Sequence, residues 1–320
     1  MHDLAIIVVS TNEAHWLRPC LSTVFEHAGD IELDVVVGNN RSTDGTRELV
    51  ENEFPGARVV TCENHGFAHA NNRAWMTTNA RYTLFLNPDT EIIEGTFEEL
   101  VRAMDERPRV GLAGVKQLTP DGELFPTIRR FPSPLRSLGE ALLSERWPRR
   151  FAWAGERELD LSLYEGETVI DWTSGSFMLV RTEALYSAGL MDERSFVYGE
   201  EPDLCLRIKN AGWEVRHFPF MTIVHHAGKA GISARIEAQN AFARRHHATK
   251  HFSGPKRMAF IAANALRYGL RAASPSRNGV GAERRAASVA ALKTLIGVSQ
   301  PPYEPVPPTA VRERLPSAER

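Results

Sequence analysis

Three cysteines in 320 residues are too few for a disulfide scaffold, and an odd number fits a reducing compartment. No run approaches the roughly 20 uninterrupted apolar residues that span a bilayer. The opening MHDLAIIVVSTNE has no basic leader, and its apolar run is too short for a secretory signal, so it reads as the first strand of a cytoplasmic protein. No GxGxxG follows that strand, which argues against a dinucleotide-binding Rossmann domain. No internal repeat is present either. What is there is ordinary globular composition, 42% hydrophobic and 24% charged, which excludes a disordered chain.

The net charge of −2 sums unequal parts. Residues 1–231 carry 23 Lys and Arg against 35 Asp and Glu, residues 232–294 carry 12 against 2, and residues 295–320 carry 3 of each. An acidic body joined to a basic segment points to phosphate, in nucleic acid or at an anionic membrane surface. No nucleic-acid motif accompanies the charge, so nucleic acid is not expected as a partner. Arg257, Asn264, Arg267 and Arg271 share one helical face, with Met258, Ile261, Ala265 and Ala272 roughly on another. Such a basic amphipathic helix suits anionic lipid and predicts peripheral attachment to the inner face of the cell membrane. The alternative is a solvated helix packed on the body.

Along the chain, strand-like runs alternate with helical patterns. Strands are expected at Leu4–Val9, Leu33–Val37, Arg58–Thr61, Tyr82–Leu86 and Val110–Val115. Helices are expected at Ala14–Ala28, Asp44–Asn52, Gly66–Asn79 and Thr96–Arg107. This is the pattern of an α/β fold with a mostly parallel central sheet flanked by helices. The proline-rich stretch Leu118–Glu165 predicts loops and one short helix. Regular structure resumes with strands at Val169–Trp172, Phe177–Val180, Trp213–His217 and Met221–His225, and helices at Thr182–Ala188 and Pro202–Ala211. The expected organisation is a domain over 1–231, a basic helical extension over 232–298 and a Pro-rich disordered tail over 299–320.

Ligands of open parallel sheets bind at the carboxyl ends of the strands. Ser10-Thr11-Asn12-Glu13 stands at the first, and Asn39-Asn40 through Asp44-Gly45 at the second. Asn64-His65-Gly66 follows the third, and Asn87-Pro88-Asp89-Thr90 the fourth. Asn71 and Asn72 are two poor helix formers side by side in an expected helix. Glu200-Glu201-Pro202-Asp203 opens another helix, with Pro202 in its first turn and Glu201 extended just before it. A carboxylate kept ionised at a helix start has the chemistry of a general base. Asp203 and Arg207 are spaced for a salt bridge.

The succession VVSTN, NNRSTDGT, NHGFAHANN and LFLNPDT resembles the inverting glycosyltransferases of family 2, with the GT-A (nucleotide-diphospho-sugar transferase) fold. The later DWTSGSFMLVR, MDERSFVYGEEPDLCLRIKNAGW and IVHH resemble its rhamnosyltransferase-like branch. The resemblance covers about residues 4–230. It implies a nucleotide-sugar site at Ser10, Thr11, Asn39, Asp44, Asn71, Asn72, Asn87 and Asp89. Asn39 stands where the family usually has Asp, and Asn87 where an acid begins its Asp-x-Asp. The resemblance places a divalent metal, Mg²⁺ or Mn²⁺, on Asp89 and His225, and a sugar or acceptor floor at Trp172, Ser174 and Gly175. Glu201 is then the general base, Glu200 the competing candidate, and Asp203 their acidic neighbour. The implied reaction moves a sugar from a dTDP- or UDP-sugar donor, rhamnose from dTDP-rhamnose being favoured, to a lipid-linked or polysaccharide acceptor in cell-envelope glycan synthesis. The rivals are a catalytically inactive nucleotide-sugar or glycan-binding protein and a nucleotidyltransferase. The latter is expected to carry a Gly-rich basic loop where this chain has Ser10-Thr11-Asn12.

Overall fold

A computed structural model describes residues 1–147, 149–226, 233–273 and 281–306. The chain begins with β1 (His2–Ser10), α1 (Ala14–Glu26), β2 (Leu33–Asn39), α2 (Thr46–Glu53), β3 (Ala57–Thr61), α3 (Phe67–Trp75) and β4 (Ala80–Leu86). It continues with β5 (Thr90–Glu94), α4 (Phe97–Asp105), β6 (Val110–Leu118) and the short α5 (Pro134–Gly139). Then come β7 (Thr168–Val169), β8 (Phe177–Arg181), α6 (Thr182–Ala188), α7 (Glu200–Asn210) and β9 (Glu214–His225). Three helices follow: α8 (Ala234–His251), α9 (Gly254–Ala273) and α10 (Gly281–Leu295).

The strands form one sheet in the order β3-β2-β1-β4-β8-β6-β9-β5, with β7 on β9. β1, β2, β3, β4, β6 and β9 run one way, and β5, β7 and β8 run against them. The mostly parallel sheet read from the sequence is therefore present. Alternate residues of β1 serve the two faces. Leu4, Ile6 and Val8 pack with Leu17 of α1 and Phe97 and Leu100 of α4. Ile7 and Val9 pack with Ala70 and Trp75 of α3, on the face that also takes Leu204 and Ile208 of α7. Burial on both faces explains why β1 is a continuous apolar run.

Several elements differ from expectation, each for a local reason. The strands expected at 213–217 and 221–225 are one strand, β9. Its register with β6 jumps between the pairs Val115–Phe218 and Lys116–Thr222. Pro219 lies in the jump, where a missing N–H breaks the ladder without ending it. The strand expected over 169–172 shrinks to β7. β5 was not foreseen: immediately after Asn87-Pro88-Asp89 the chain turns and pairs antiparallel with β9, setting Thr90 opposite His225. α7 starts at Glu200 rather than Pro202, because Gly199 adopts φ 88° and turns the chain into the helix. Glu201 is thus helical, and Pro202 still sits in the first turn, where no N–H is needed.

The proline-rich stretch holds α5, a π turn over Glu140–Ser144 and two short 3-10 turns. The carboxy-terminal helices are tied to the body by ion pairs. Arg244 meets Glu156, Lys250 meets Asp192 and Asp203, and His251 meets Asp203. The basic face of α9 is partly turned toward the body. Asn264 is buried against Ser137, and Arg267 pairs with Glu140. The acids of the proline-rich segment claim these groups, and a partnered charge is cheaper to bury than a free one. Of the tail expected over 299–320, residues 307–320 lie outside the described residues, as does the boundary at 231.

Candidate active site

The site lies at the carboxyl ends of the parallel strands. The loops after β1 and β2 are knitted together there. Asn39 Oδ1 accepts from Ser42 N at 2.8 Å, Asn12 Oδ1 accepts from Thr43 N at 2.7 Å, and Ser42 Oγ donates to the Ser10 carbonyl at 3.2 Å. Asn40, not singled out from the sequence, donates to Thr11 Oγ1 at 3.2 Å and to Asn64 Oδ1 at 3.0 Å. It binds the loops after β1, β2 and β3 into one wall. Asn39, Arg41, Ser42, Thr43, Arg47 and Thr61 line a cleft of about 510 Å³. Asp44 has a structural task beside it. Its carboxylate accepts from Thr46 N and Oγ1 at the start of α2 and from Ala14 N at the start of α1. These bonds outweigh its desolvation and hold its pKa below the ordinary value.

A second set of groups forms a continuous chain across the strand ends. Asp89 Oδ1 lies 3.1 Å from His225 Nε2, and Asn87 Nδ2 lies 3.4 Å from the same nitrogen. His225 Nδ1 is 2.9 Å from Gln117 Nε2. Gln117 Oε1 accepts from Ser176 Oγ at 2.6 Å, and Ser176 Oγ is 3.3 Å from Ser174 Oγ. Gly175, between those serines, donates its backbone N–H to Glu201 Oε1 at 3.3 Å. A Cβ on Gly175 would lie 2.9 Å from that oxygen, so the glycine lets Glu201 lie over the loop. Asp89, Asn87, His225, Ser174, Gly175 and Glu201 thus come together, joined through Gln117 and Ser176, which sequence reasoning missed.

Asp89 and His225 offer one carboxylate oxygen and one imidazole nitrogen side by side. Among the described residues no group of three or more His, Cys, Asp or Glu forms a closed cage. A carboxylate and an imidazole fit a Mg²⁺- or Mn²⁺-type ion that takes its remaining oxygens from a diphosphate and water.

The two glutamates at the start of α7 differ. Glu200 is buried, and its Oε2 has no hydrogen-bond partner among the described residues. Burial and the neighbouring Glu201 push its pKa well above the usual glutamate value. Burial thus favours the protonated form of Glu200, whose carboxyl is shut away from the strand-end loops. Glu201 is half-buried and reaches the loop. Burial raises its pKa too, while backbone N–H groups and Arg129 oppose the rise. The helix start alone predicted a readily ionised carboxylate, but desolvation wins here, giving a stronger base. Arg129, a second group not foreseen, lies 5.7 Å over the Trp172 ring with its buried Nε unpartnered among the described residues.

Other expected site residues are engaged elsewhere. Asn72 is fully buried and spends its amide on Met191 and Glu193, fastening α3 to the 191–193 segment. Asn71 Nδ2 caps the Phe67 carbonyl of its own helix. Asp203 faces α8, bound to Arg207, Lys250 and His251 rather than to the site. The hydrogen bond from His251 and the charges of Arg207 and Lys250 hold its pKa below the usual range despite burial. Trp172 spends its indole N–H on the Arg130 carbonyl at 3.0 Å, so that group positions the 129–131 segment and is not free for a sugar. Ser10 Oγ is buried under the loop without a partner among the described residues.

A sheet of this topology, with a polar cleft and an acid–imidazole pair at its carboxyl end, defines a GT-A glycosyltransferase. The same fold appears in the mannosyltransferase PcManGT from Pyrobaculum calidifontis, solved with GDP-Man and Mn²⁺. That structure matches with a TM-score of 0.53 at 18% identity, over 94% of this chain and 82% of that one. The sequence profile described as Glycosyl transferase family 2 matches residues 5–162. An N-acetylglucosaminyl-diphospho-decaprenol L-rhamnosyltransferase of Mycobacterium tuberculosis is 31% identical over 262 residues, 76% of this chain and 81% of that protein. The rhamnosyltransferase WbbL of Escherichia coli K12 is 25% identical over 235 residues, 69% of this chain and 83% of that protein. The chain belongs to glycosyltransferase family 2, among its rhamnosyltransferase-like members.

Proposed function

We propose that this enzyme transfers L-rhamnose from dTDP-rhamnose to a hydroxyl of a lipid-diphosphate-linked sugar, with inversion at the anomeric carbon. The observation that carries the reading is the unbroken chain of polar contacts from Asp89 through His225, Gln117 and Ser176 to the loop under Glu201. It supports reading Asp89 and His225 as a diphosphate-handling pair and Glu201 as a base on the same wall. The rhamnosyltransferase relatives support the sugar, and the lipid-diphosphate in the name of one of them supports the acceptor.

In this account the nucleotide occupies the cleft lined by Asn39, Ser42 and Thr61. Asp89 and His225 would hold a divalent cation, Mg²⁺ or Mn²⁺, which would supply positive charge to offset that gathering on the leaving diphosphate. Glu201 takes the proton of the acceptor hydroxyl as its oxygen attacks the anomeric carbon. The glycosidic C–O electrons leave with the diphosphate on the opposite face, so configuration inverts. Gly175 N–H and Arg129 steady the carboxylate of Glu201 in its ionised form.

A donor panel tests this reading. With dTDP-rhamnose, UDP-glucose, UDP-galactose and GDP-mannose, nucleotide release in the presence of acceptor is expected from dTDP-rhamnose alone, and only with Mn²⁺ or Mg²⁺ added. Release from a UDP-hexose alone would overturn the donor, and release indifferent to chelation would remove the role given to Asp89 and His225.

A further inference from the structure

The helical segment over 134–144 and α9 lie side by side with their polar groups between them. Asn264 Nδ2 donates to Ser137 Oγ at 3.0 Å, Arg267 pairs with Glu140 at 3.0 Å, and Arg271 pairs with Glu145 at 2.8 Å. Phe260, Ala263 and Tyr268 of α9 are buried as well, and beside the exposed Lys256 and Arg271 the outer faces carry apolar side chains. Leu135, Leu138 and Leu142 recur at helical spacing on the first segment, all exposed, Leu135 by 82%. On α9, Met258, Ala262, Leu266 and Leu270 recur every fourth residue and are also exposed, Met258 by 67%.

The loop that follows the first segment adds aromatic and basic groups. Trp147 and Trp153 are exposed, Trp153 by 69%, and both make edge contacts to Phe151. The guanidiniums of Arg146 and Arg150 lie over the rings of Trp147 and Phe151 at 5.8 and 5.5 Å, and Arg149 is exposed beside them.

We propose that this surface, the outer faces of the 134–144 segment and α9 with the 146–153 loop, docks the enzyme on an anionic phospholipid bilayer. Fully burying a leucine or methionine side chain is worth about 1.5–3 kcal/mol, so leaving several in water calls for a cover. Tryptophan, with an apolar body and one N–H, belongs at the headgroup boundary. Arginines beside it keep their charge at the phosphate layer while their stems lie along the apolar surface. No helix among the described residues is long and apolar enough to cross a membrane, so the helices lie on the surface. A second copy docked on the same patch would bring the arginine cluster against itself, which argues for lipid as the occupant. The proposal deepens the lipid-linked reading of the acceptor by naming the surface that brings the site to it.

Vesicle co-sedimentation of the full chain tests this, with neither donor nor acceptor present, so failure here leaves the transferase reading standing. Vesicles of phosphatidylcholine mixed with phosphatidylglycerol are expected to bind the protein, and phosphatidylcholine alone to bind it more weakly. Trp153→Glu combined with Leu142→Glu is expected to weaken binding by at least about tenfold. Replacing Arg146, Arg149 and Arg150 with Gln is expected to erase the preference for anionic lipid. Circular dichroism melts of both variants should match the parent, since every substituted group is exposed. Equal binding by parent and variants, or none by the parent, overturns the proposal. So does a concentration-dependent dimer in light scattering that the same variants disperse, because a second copy would then be the cover.

Discussion

Glu201→Gln is expected to lower turnover about a thousandfold, or ~4 kcal/mol of activation free energy, while nucleotide-sugar affinity stays nearly unchanged. Gln keeps the shape of the side chain and can still accept from Gly175 N–H, so the loop holds its place. What it cannot do is take a proton. The pH profile makes the same point. Burial raises the pKa of Glu201 above the ordinary 4.5, so the ionised base appears only as pH climbs past that value. The acidic limb of the rate profile is therefore expected above the usual glutamate range, and to vanish in Glu201→Gln. Glu200→Gln is the contrasting variant. The folded protein holds the Glu200 proton above the pH at which the unfolded chain releases it. Stability is thus lost as pH rises from the ordinary glutamate value toward the raised one. Removing that loss with Gln is expected to stabilise the protein at neutral and alkaline pH, read by urea denaturation, with turnover within a few-fold of the parent. If Glu200→Gln instead silences the enzyme and Glu201→Gln does not, the base has been assigned to the wrong neighbour.

Asp89→Asn is expected to cost about a hundred- to a thousandfold in turnover, by analogy with the loss of one strong electrostatic contact to a developing charge. The amide keeps an oxygen near His225 but removes the negative charge that attracts a cation. Its signature is the metal titration: half-activation by Mn²⁺ should move to much higher concentration, and His225→Ala should move it the same way. An Asp89→Asn enzyme with unchanged turnover and unchanged metal dependence would show that charge at this turn is not used. The position is not free to drift, because the Asp89 carbonyl accepts from His226 N at 2.8 Å and β5 pairs with β9 just beyond. A loss of activity therefore reports chemistry rather than a moved loop.

Much of the fold was legible because strands buried on both faces leave continuous apolar runs, as in Leu4–Val9 and Val35–Val37. The acidic cluster before Leu204 was legible because its signal is local. Groups whose partners are distant were not. Gln117 meets Ser176 59 residues away and His225 108 residues away, and nothing in its neighbourhood announces either. Asn72, a poor helix former inside a helix, has a tertiary partner that the sequence does not announce: its amide bonds Met191 and Glu193. α9 is the clearest case. Periodicity put Met258, Ile261 and Ala265 on one face, yet Met258 is exposed while Ile261 and Ala265 pack inward against Tyr268, and periodicity does not say which residues turn inward. Ser137, Glu140 and Glu145, from more than a hundred residues earlier, decide that.

The measurement closest to the central claim is the anomeric configuration of the product. Purified enzyme with Mn²⁺, dTDP-rhamnose and a lipid-diphosphate-linked N-acetylglucosamine is expected to yield a rhamnosylated lipid. Its anomeric proton, followed by NMR from the first turnover, should report the configuration opposite to that of the donor, as a single displacement with Glu201 as base requires. A product that retains the donor's configuration, or no rhamnosylated lipid while another nucleotide-sugar is consumed, contradicts the account.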